Sequence, residues 1–156
     1  MATLISHSPA ETEALGERFG RVAQSGWVLG LSGDLGAGKT QFVKGLARSL
    51  GIGARVHSPT FSLINVYEGG RLTLYHIDLY RLENIDQILA AGLEEYLQPA
   101  GVTAIEWAEK WFAMPQPGEA LSPRVPVFGE AALPRRVQFE ALSPTERRIT
   151  YDDPGA

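Results

Sequence analysis

Eight consecutive residues, Gly33 to Thr40, form a pattern that is suited to holding phosphate groups. They read Gly-Asp-Leu-Gly-Ala-Gly-Lys-Thr and fit the phosphate-loop pattern G-x-x-x-x-G-K-[ST] at every fixed position. Glycines let backbone N–H groups approach phosphate oxygens, and the start of a helix adds partial positive charge. We expect Lys39 to reach the β and γ phosphates of a nucleotide, and the Thr40 hydroxyl to bind Mg²⁺, which prefers oxygen ligands.

Two carboxylates follow apolar, β-rich segments and are candidates for the acid that a phosphate-loop site needs near its metal. Asp78 follows Leu72–Ile77, and Glu106 follows Val102–Ile105. The spacing alone does not decide which one belongs to the Mg²⁺ shell and which one orients water. For both, the plain alternative is a strand-end carboxylate that faces solvent.

Four further residues have less specific signals. Thr60 lies in a position where a threonine could sense the γ-phosphate, although the first residue of a strand is the simpler interpretation. Trp107 is either core filler or a flat surface for a nucleotide or partner. His57 and His76 show no metal-ligand spacing, so ordinary polar roles are favoured.

The expected nucleotide and reaction depend on two further sequence features, a guanine-recognition sequence and an arginine-bearing lid. A guanine-specific protein would usually carry N-K-x-D, which is absent from the sequence, so ATP is the default. A small-metabolite kinase is the rival enzyme, with Asp78–Arg81 as acceptor-activating and phosphate-binding residues. Its usual arginine-bearing lid is weakly supported, because Arg124 is the one arginine between Trp111 and Pro134. A nucleotide-gated binding module without turnover is the third reading.

The elements that must position this chemistry alternate between strand and helix patterns. The apolar run Trp27–Ser32 predicts a buried strand before the loop, and an amphipathic helix follows the loop and ends near Gly51. Thr60–Tyr67 and Arg71–Asp78 predict an antiparallel β-hairpin, because the turn between them is short. Val102–Ile105 predicts another buried strand.

The rest of the chain supplies flanking elements. The sequence predicts a first helix that is capped by Ser8 and ended by Gly26, and a later helix that is capped by Asn84 and divided at Gly92. Two further strands are predicted near the end of the sequence, Val137–Ala141 and Glu146–Tyr151. The proline-rich stretch Pro115–Pro134 predicts loops, and the last five residues are expected to fray.

Composition bounds the class of protein. The 156 residues, 44% hydrophobic and 21% charged, predict one globular domain over residues 1–156. The chain has no cysteine, which excludes disulfides and thiol catalysis. The formal net charge of −4 argues against sequence-independent binding of nucleic acid. Because the sequence has neither an apolar run of about 18 residues nor a signal peptide, we expect a cytoplasmic protein without membrane contact.

Four segments together resemble the bacterial TsaE (YjeE) family. They are Gly33–Thr40, Ser58–Phe61, Tyr75–Arg81 and Glu106–Trp107, and they occur in the order and approximate spacing of that family. The resemblance runs from about Ser8 to Trp107. Members of this family are the ATPases of the pathway that makes threonylcarbamoyladenosine in tRNA.

The resemblance implies a fold, partners and residue roles. It implies a three-layer α/β phosphate-loop NTPase fold with a mixed sheet, and weak ATP hydrolysis that the TsaD and TsaB proteins raise. Contact with tRNA is expected indirectly, through the TsaB–TsaD complex. Lys39 and Thr40 become the phosphate and Mg²⁺ residues, Glu106 the second metal-side ligand, and Asp78 the hydrolytic residue.

The family also implies a wider set of nucleotide contacts. The start of the first helix approaches the adenine in this family, which brings Glu11 and Thr12 near the base. The stretch Met114–Leu133 departs from the family pattern. The expected catalytic residues are Asp78, Lys39 and Glu106, and the expected metal ligands are Thr40 and Glu106. The expected nucleotide contacts are Thr12, Asp34, Leu35, Gly36, Ala37, Gly38, Lys39, Thr40, Gln41, Thr60 and Trp107.

Overall fold

A mixed seven-stranded sheet forms the centre of the protein, whose structure is a computed structural model that describes residues 2–34, 36–59, 62–113, 122–123 and 134–155. The strands, in chain order, are β1 (Ala2–Ser6), β2 (Val28–Gly33), β3 (Ile64–Tyr67), β4 (Leu74–Asp78), β5 (Val102–Glu106), β6 (Phe112–Ala113), β7 (Ser122–Pro123), β8 (Arg135–Ala141) and β9 (Arg147–Tyr151). The helices are α1 (Pro9–Val22), α2 (Lys39–Ser49) and α3 (Ile85–Ala90), with 3₁₀ turns at Leu93–Leu97 and Ala108–Lys110.

The order of strands in the sheet is β1-β9-β8-β2-β5-β4-β3, and β6 and β7 pair separately. Strands β8, β2, β5 and β4 run parallel, whereas β3, β9 and β1 join antiparallel to their neighbours. The predicted mixed sheet with an antiparallel hairpin is therefore confirmed. Because β2 and β5 are buried along almost their whole length, they fit the centre of the sheet, where both faces are covered.

Helical segments cover both faces, which confirms the predicted three layers. Alternate residues of the strands feed two apolar clusters, as the two-residue period of a strand requires. On one face, Leu29 of β2 packs with Phe19 of α1 and Phe42 of α2. On the other face, Ile105 of β5 packs with Ile88 of α3 and with Trp111.

Helices α1 and α2 approach each other closely through glycines. A Cβ atom on Gly16 would overlap the carbonyl oxygen of Phe42, and one on Gly45 would overlap the carbonyl oxygen of Glu13. Glycine is thus required at these positions because the two backbones touch. The contact fixes the position of α2, whose first residue is Lys39.

Several predicted element ends are confirmed, and others are corrected. Ser8 and Asn84 cap α1 and α3 through their side chains. Gly92, with φ at 72°, separates α3 from the following 3₁₀ turn. The prediction that α1 continues to Gly26 is wrong, because the helix ends at Val22. The hairpin strands are also shorter than predicted, since the pairing joins only Ile64–Tyr67 to Leu74–Ile77.

Strand β1 was not predicted from the sequence. It is a five-residue edge strand whose residues alternate between half-buried and exposed, and β9 is its partner in the sheet. None of the helices in the described ranges is long and apolar enough to cross a membrane. Residues 114–121 and 124–133, which include most of the predicted proline-rich loop, lie outside the described residues.

Candidate functional site

The two predicted carboxylates end neighbouring parallel strands. Asp78 of β4 pairs in register with Glu106 of β5, so both side chains stand at the same edge and on the same face of the sheet. They are 9% and 3% exposed. Helix α2 packs on this face and begins with Lys39 and Thr40, which brings the phosphate loop to the carboxylates.

The phosphate loop reaches α2 through a left-handed residue. Gly38 precedes the helix with φ at 108°, a conformation that a residue with a side chain rarely adopts. Its carbonyl accepts the hydrogen bond of Phe42, which closes the first turn of α2. The free N–H groups of that turn therefore point toward the loop, as anion binding requires.

Lys39 is buried at the centre of the site. Its Nζ donates to the carbonyl oxygens of Gly33 at 2.5 Å and of Asp34 at 3.0 Å. The same ammonium group lies 3.9 Å from the centroid of the Trp107 ring, within the range of a cation–π interaction. Trp107 holds this position with an unusual φ of 61°.

Nearby carboxylates partly offset the effect of burial on the charged form of Lys39. Burial lowers the pKa of Lys39, and Glu109, Glu106, Asp78 and Asp34 oppose that shift, Glu109 most strongly. The net pKa lies below the ordinary lysine value. Lys39 therefore places one positive charge at a buried position, where the interaction of that charge with an anion is stronger than in water.

Thr40 and Glu106 are in direct contact. The Thr40 hydroxyl lies 3.0 Å from each carboxylate oxygen of Glu106. Behind them, Nε2 of the fully buried His76 lies 2.5 Å from Oε2 of Glu106. A hydroxyl and a carboxylate side by side offer hard oxygen ligands of the kind that Mg²⁺ prefers, so the residues present fit that ion together with phosphate oxygens.

Asp78 is oriented by two donors. The Ser58 hydroxyl donates to its Oδ2 at 2.5 Å, and the backbone N–H of Tyr80 donates to its Oδ1 at 2.9 Å. Ser58 lies in the segment after α2, and Tyr80 follows β4. The carboxylate is thus fixed beside the cleft and remains an acceptor.

A cleft of about 370 Å³ joins these groups. Of the described residues that line it, Lys39 is the one cation. The Tyr80 and Trp107 rings, 5.1 Å apart, form its aromatic side. The lining residues are Gly36, Gly38, Lys39, Thr40, Gln41, Ser58, Asp78, Tyr80, Glu106 and Trp107.

A second cavity of about 290 Å³ adjoins the cleft, because Gly36, Gly38 and Gln41 line both. Its other walls are the start of α1 and the turn between β8 and β9, from which Arg147 donates to the Gly36 carbonyl at 3.3 Å. Thr12 also lines this cavity. The two cavities therefore share a wall that the phosphate loop and the start of α2 form.

The structure brings most of the predicted site residues together. Asp34 contributes its carbonyl, Ala37 is buried in the loop, and the Thr12 hydroxyl shares a hydrogen bond with Ser6 at 2.8 Å. The Glu11 carboxylate accepts from the backbone N–H of His7. Two predicted contacts, Leu35 and Thr60, lie outside the described residues.

Sequence reasoning missed Glu109. Its Oε2 accepts the N–H of Gly33 at 3.0 Å, which ties the start of the phosphate loop to the segment after β5. Its Oε1 is buried and finds no partner among the described residues. The available signal was its position, three residues after Glu106 at the end of a buried strand.

Comparison with known proteins identifies the family. A family model described as "Threonylcarbamoyl adenosine biosynthesis protein TsaE" matches residues 6–128, which is most of the chain. The chain belongs to the TsaE family. The resemblance that four short segments suggested is thereby confirmed.

Individual relatives agree with the family assignment. The chain is 50% identical over 101 residues to the tRNA threonylcarbamoyladenosine biosynthesis protein TsaE of Bacillus subtilis, covering 65% of this chain and 63% of that protein. It is 47% identical over 106 residues to the protein of the same name from Treponema pallidum, covering 68% and 78% of the two chains. The matched region thus spans less than two thirds of the Bacillus protein.

A solved structure shares the whole fold. The crystal structure of YdiB from Bacillus subtilis aligns with 99% of this chain and 86% of its own, with a TM-score of 0.70 and 34% identity. The alignment extends past the family-model match, so the strands β8 and β9 belong to the shared architecture as well.

Proposed function

We propose that this protein binds ATP in the cleft and hydrolyses it with Mg²⁺, as a cytoplasmic participant in threonylcarbamoyladenosine biosynthesis on tRNA. One observation carries the proposal: a phosphate loop, its lysine and hydroxyl, and two strand-end carboxylates surround a single cleft. The names of the relatives support the pathway.

The two cavities that share the phosphate loop as a wall support a position for the nucleotide. We assign the phosphates to the backbone and side chains of residues 34–41 and to the Trp107 side of the cleft. The adjoining cavity, with Thr12 on its wall, is assigned to the adenosine. The absence of an N-K-x-D sequence favours adenine over guanine.

Hydrolysis requires a water molecule to attack the γ-phosphorus while the bond to the ADP oxygen breaks. We assign to Asp78 the task of orienting that water and accepting its proton, since its two donors hold it at the cleft. Lys39 neutralises charge on the phosphate oxygens. Mg²⁺, held by Thr40 and Glu106, would add charge neutralisation and would orient the phosphates.

Activation by a partner is supported by the composition of the cleft. Transfer of a phosphoryl group usually uses an arginine in addition to the loop lysine and Mg²⁺. In the described lining, Lys39 is the single cationic side chain, and no arginine is among the lining residues. We therefore propose that hydrolysis is slow in the isolated protein and that the TsaD and TsaB proteins complete the site, while tRNA is contacted through their complex.

The Asp78→Asn variant tests this mechanism. We expect it to retain much of the ATP affinity, because Asp78 does not belong to the phosphate loop. We expect it to lose most of the accelerated turnover, because an amide cannot accept a proton as a carboxylate does. Phosphate release is measured for the wild type and the variant, each with and without TsaD and TsaB.

Asp86→Asn serves as the matched control, since Asp86 is an exposed carboxylate on α3 outside the cleft. Equal rates for wild type and Asp78→Asn in all conditions would contradict the role of Asp78. ATP binding without any turnover, even with partners, would favour the binding module. Transfer of labelled phosphate to a small metabolite would favour the kinase.

A further inference from the structure

His76 is a buried polar residue that has no part in the proposed hydrolysis. It lies on β4, two residues before Asp78, and its side chain is fully buried. It is absent from the lining of the cleft. The two-residue period of the strand nevertheless directs it to the same face as Asp78 and Glu106, one step below them.

The other hydrogen bonds of Glu106 show which group is the donor in its contact with His76. Both Glu106 oxygens accept from the Thr40 hydroxyl, so the carboxylate acts as an acceptor. The hydrogen between His76 Nε2 and Glu106 Oε2, 2.5 Å apart, therefore belongs to the imidazole. Glu106 is held from two sides, by a hydroxyl at the cleft and by an N–H from the interior.

If this position served packing alone, an apolar side chain would stabilise the fold more than His76 does. The other ring nitrogen of His76, Nδ1, is buried and finds no partner in the part of the chain that the structure describes. A buried polar atom without a partner destabilises the folded state. A ring of similar size without nitrogens would fill the space beside Ala104, its register partner on β5, and avoid that cost.

We propose that His76 is a positioning residue of the nucleotide site, whose Nε2–H fixes the Glu106 carboxylate against Thr40. The inference rests on the proposed function, because Glu106 and Thr40 are assigned there as the metal-side ligands. His76 acts through Glu106 and does not touch the nucleotide. Without it, the carboxylate is free to rotate away from Thr40, and the two oxygen ligands are no longer prearranged.

The consequence concerns metal affinity more than nucleotide affinity. Removing a group that orients a metal-binding carboxylate weakens metal binding by about 10- to 100-fold in known sites. Among the described residues, His76 has its one side-chain hydrogen bond with Glu106 and none with Lys39 or the phosphate loop, so binding of the nucleotide without metal is expected to change little. This separation distinguishes positioning from a general loss of structure.

The test compares His76→Phe with His76→Gln. Phenylalanine keeps the ring and removes the donor, whereas the amide nitrogen of glutamine lies as many bonds from Cα as Nε2 does. Mn²⁺ affinity is measured by calorimetry with the protein saturated with a non-hydrolysable ATP analogue. Analogue affinity is measured separately in the presence of a chelator.

We expect His76→Phe to weaken Mn²⁺ binding at least tenfold and to change the affinity for the analogue, measured with chelator, less than twofold. We expect His76→Gln to restore most of the lost Mn²⁺ affinity. Thr103→Val is the matched control, because Thr103 is a buried residue of β5 whose hydroxyl donates to the Tyr96 carbonyl, away from Glu106. It should lower the melting temperature and leave Mn²⁺ affinity unchanged.

Equal Mn²⁺ affinities for wild type and His76→Phe, with analogue bound by both, would overturn the inference alone. The same holds if glutamine restores nothing. Failure of the wild type to bind the analogue would overturn the proposed function and this inference with it. If His76→Phe does not fold, the comparison of His76→Gln with wild type decides, and a tenfold loss there also contradicts the proposal.

Discussion

Lys39 shows how a single residue combines opposing requirements. The residue is 4% exposed, and burial lowers its pKa, yet four carboxylates raise that pKa and two carbonyl oxygens accept hydrogen bonds from its ammonium group. A buried cation of this kind binds a phosphate strongly, because little water must be displaced and the surrounding dielectric constant is low. We therefore expect the residue to serve phosphate binding at some cost to the stability of the fold.

Replacing Lys39 with alanine tests that function directly. Loss of the charge should weaken ATP binding at least tenfold, which corresponds to about 1.4 kcal/mol. Lys44→Ala is the control, since Lys44 lies on the same helix and lines a different groove. Calorimetry with ATP would contradict the assignment if both variants bound as tightly as the wild type.

The site residues differ in whether the sequence alone could predict them. Lys39, Thr40 and the strand-end carboxylates were predictable because the evidence for each is local: a fixed spacing or a position after an apolar run. The contacts of Glu109 with Gly33 and of His76 with Glu106 depend on which strands are neighbours and in what register. No local pattern carries that information.

At the scale of elements, the contact between α1 and α2 positions the site. Gly45 lies where α2 touches the backbone of α1, and the helix begins six residues earlier at Lys39. Any separation of the helices would therefore shift the phosphate loop. A glycine in a helix usually costs about 1 kcal/mol relative to alanine, so this one is kept for space.

Gly45→Ala should accordingly destabilise the protein although alanine favours helices. The new methyl group would overlap the Glu13 carbonyl, and overpacking of this kind costs about 1–3 kcal/mol. Gly53→Ala, where a Cβ meets nothing, should change stability by less than about 0.5 kcal/mol. Urea unfolding measures both, and a more stable Gly45→Ala variant would contradict the close packing.

The elements also differ in how well the sequence predicts them. Helix α1 was predictable from its cap and its apolar stripe, and β2 from its apolar run. Strand β1 was not, because its half-buried pattern is weak and its pairing with β9 joins residues at opposite ends of the sequence. Long-range pairing, rather than local preference, makes that strand.

At the scale of the whole molecule, an ion pair ties the two C-terminal strands together. Asp152, just after β9, accepts hydrogen bonds from the backbone and side chain of Arg136 on β8 at 2.8 and 2.9 Å. Burial raises the pKa of Asp152, but the hydrogen bonds and charge of Arg136 outweigh it and leave the pKa below its ordinary value.

Stability should therefore depend on pH through Asp152. A lowered folded-state pKa contributes stability that is complete above the unfolded-state pKa of about 3.9 and is lost as the pH falls through the folded-state value. We expect Asp152→Asn to lower the free energy of unfolding at pH 7, and the difference from wild type to shrink as the pH falls below about 4. Denaturant titrations at several pH values check this, and a constant difference would contradict it.

The strand order has a consequence for how the protein is made. Strand β2, which leads into the phosphate loop, lies between β5 and β8, and both are translated after it. When the phosphate loop has just emerged from the ribosome, β5 and β8 have not yet been made. The nascent chain therefore lacks both of the strands that flank β2 in the sheet. The ability to capture a nucleotide is thus acquired late in biosynthesis, when β8 closes the second side of β2, and truncated translation products are born without it.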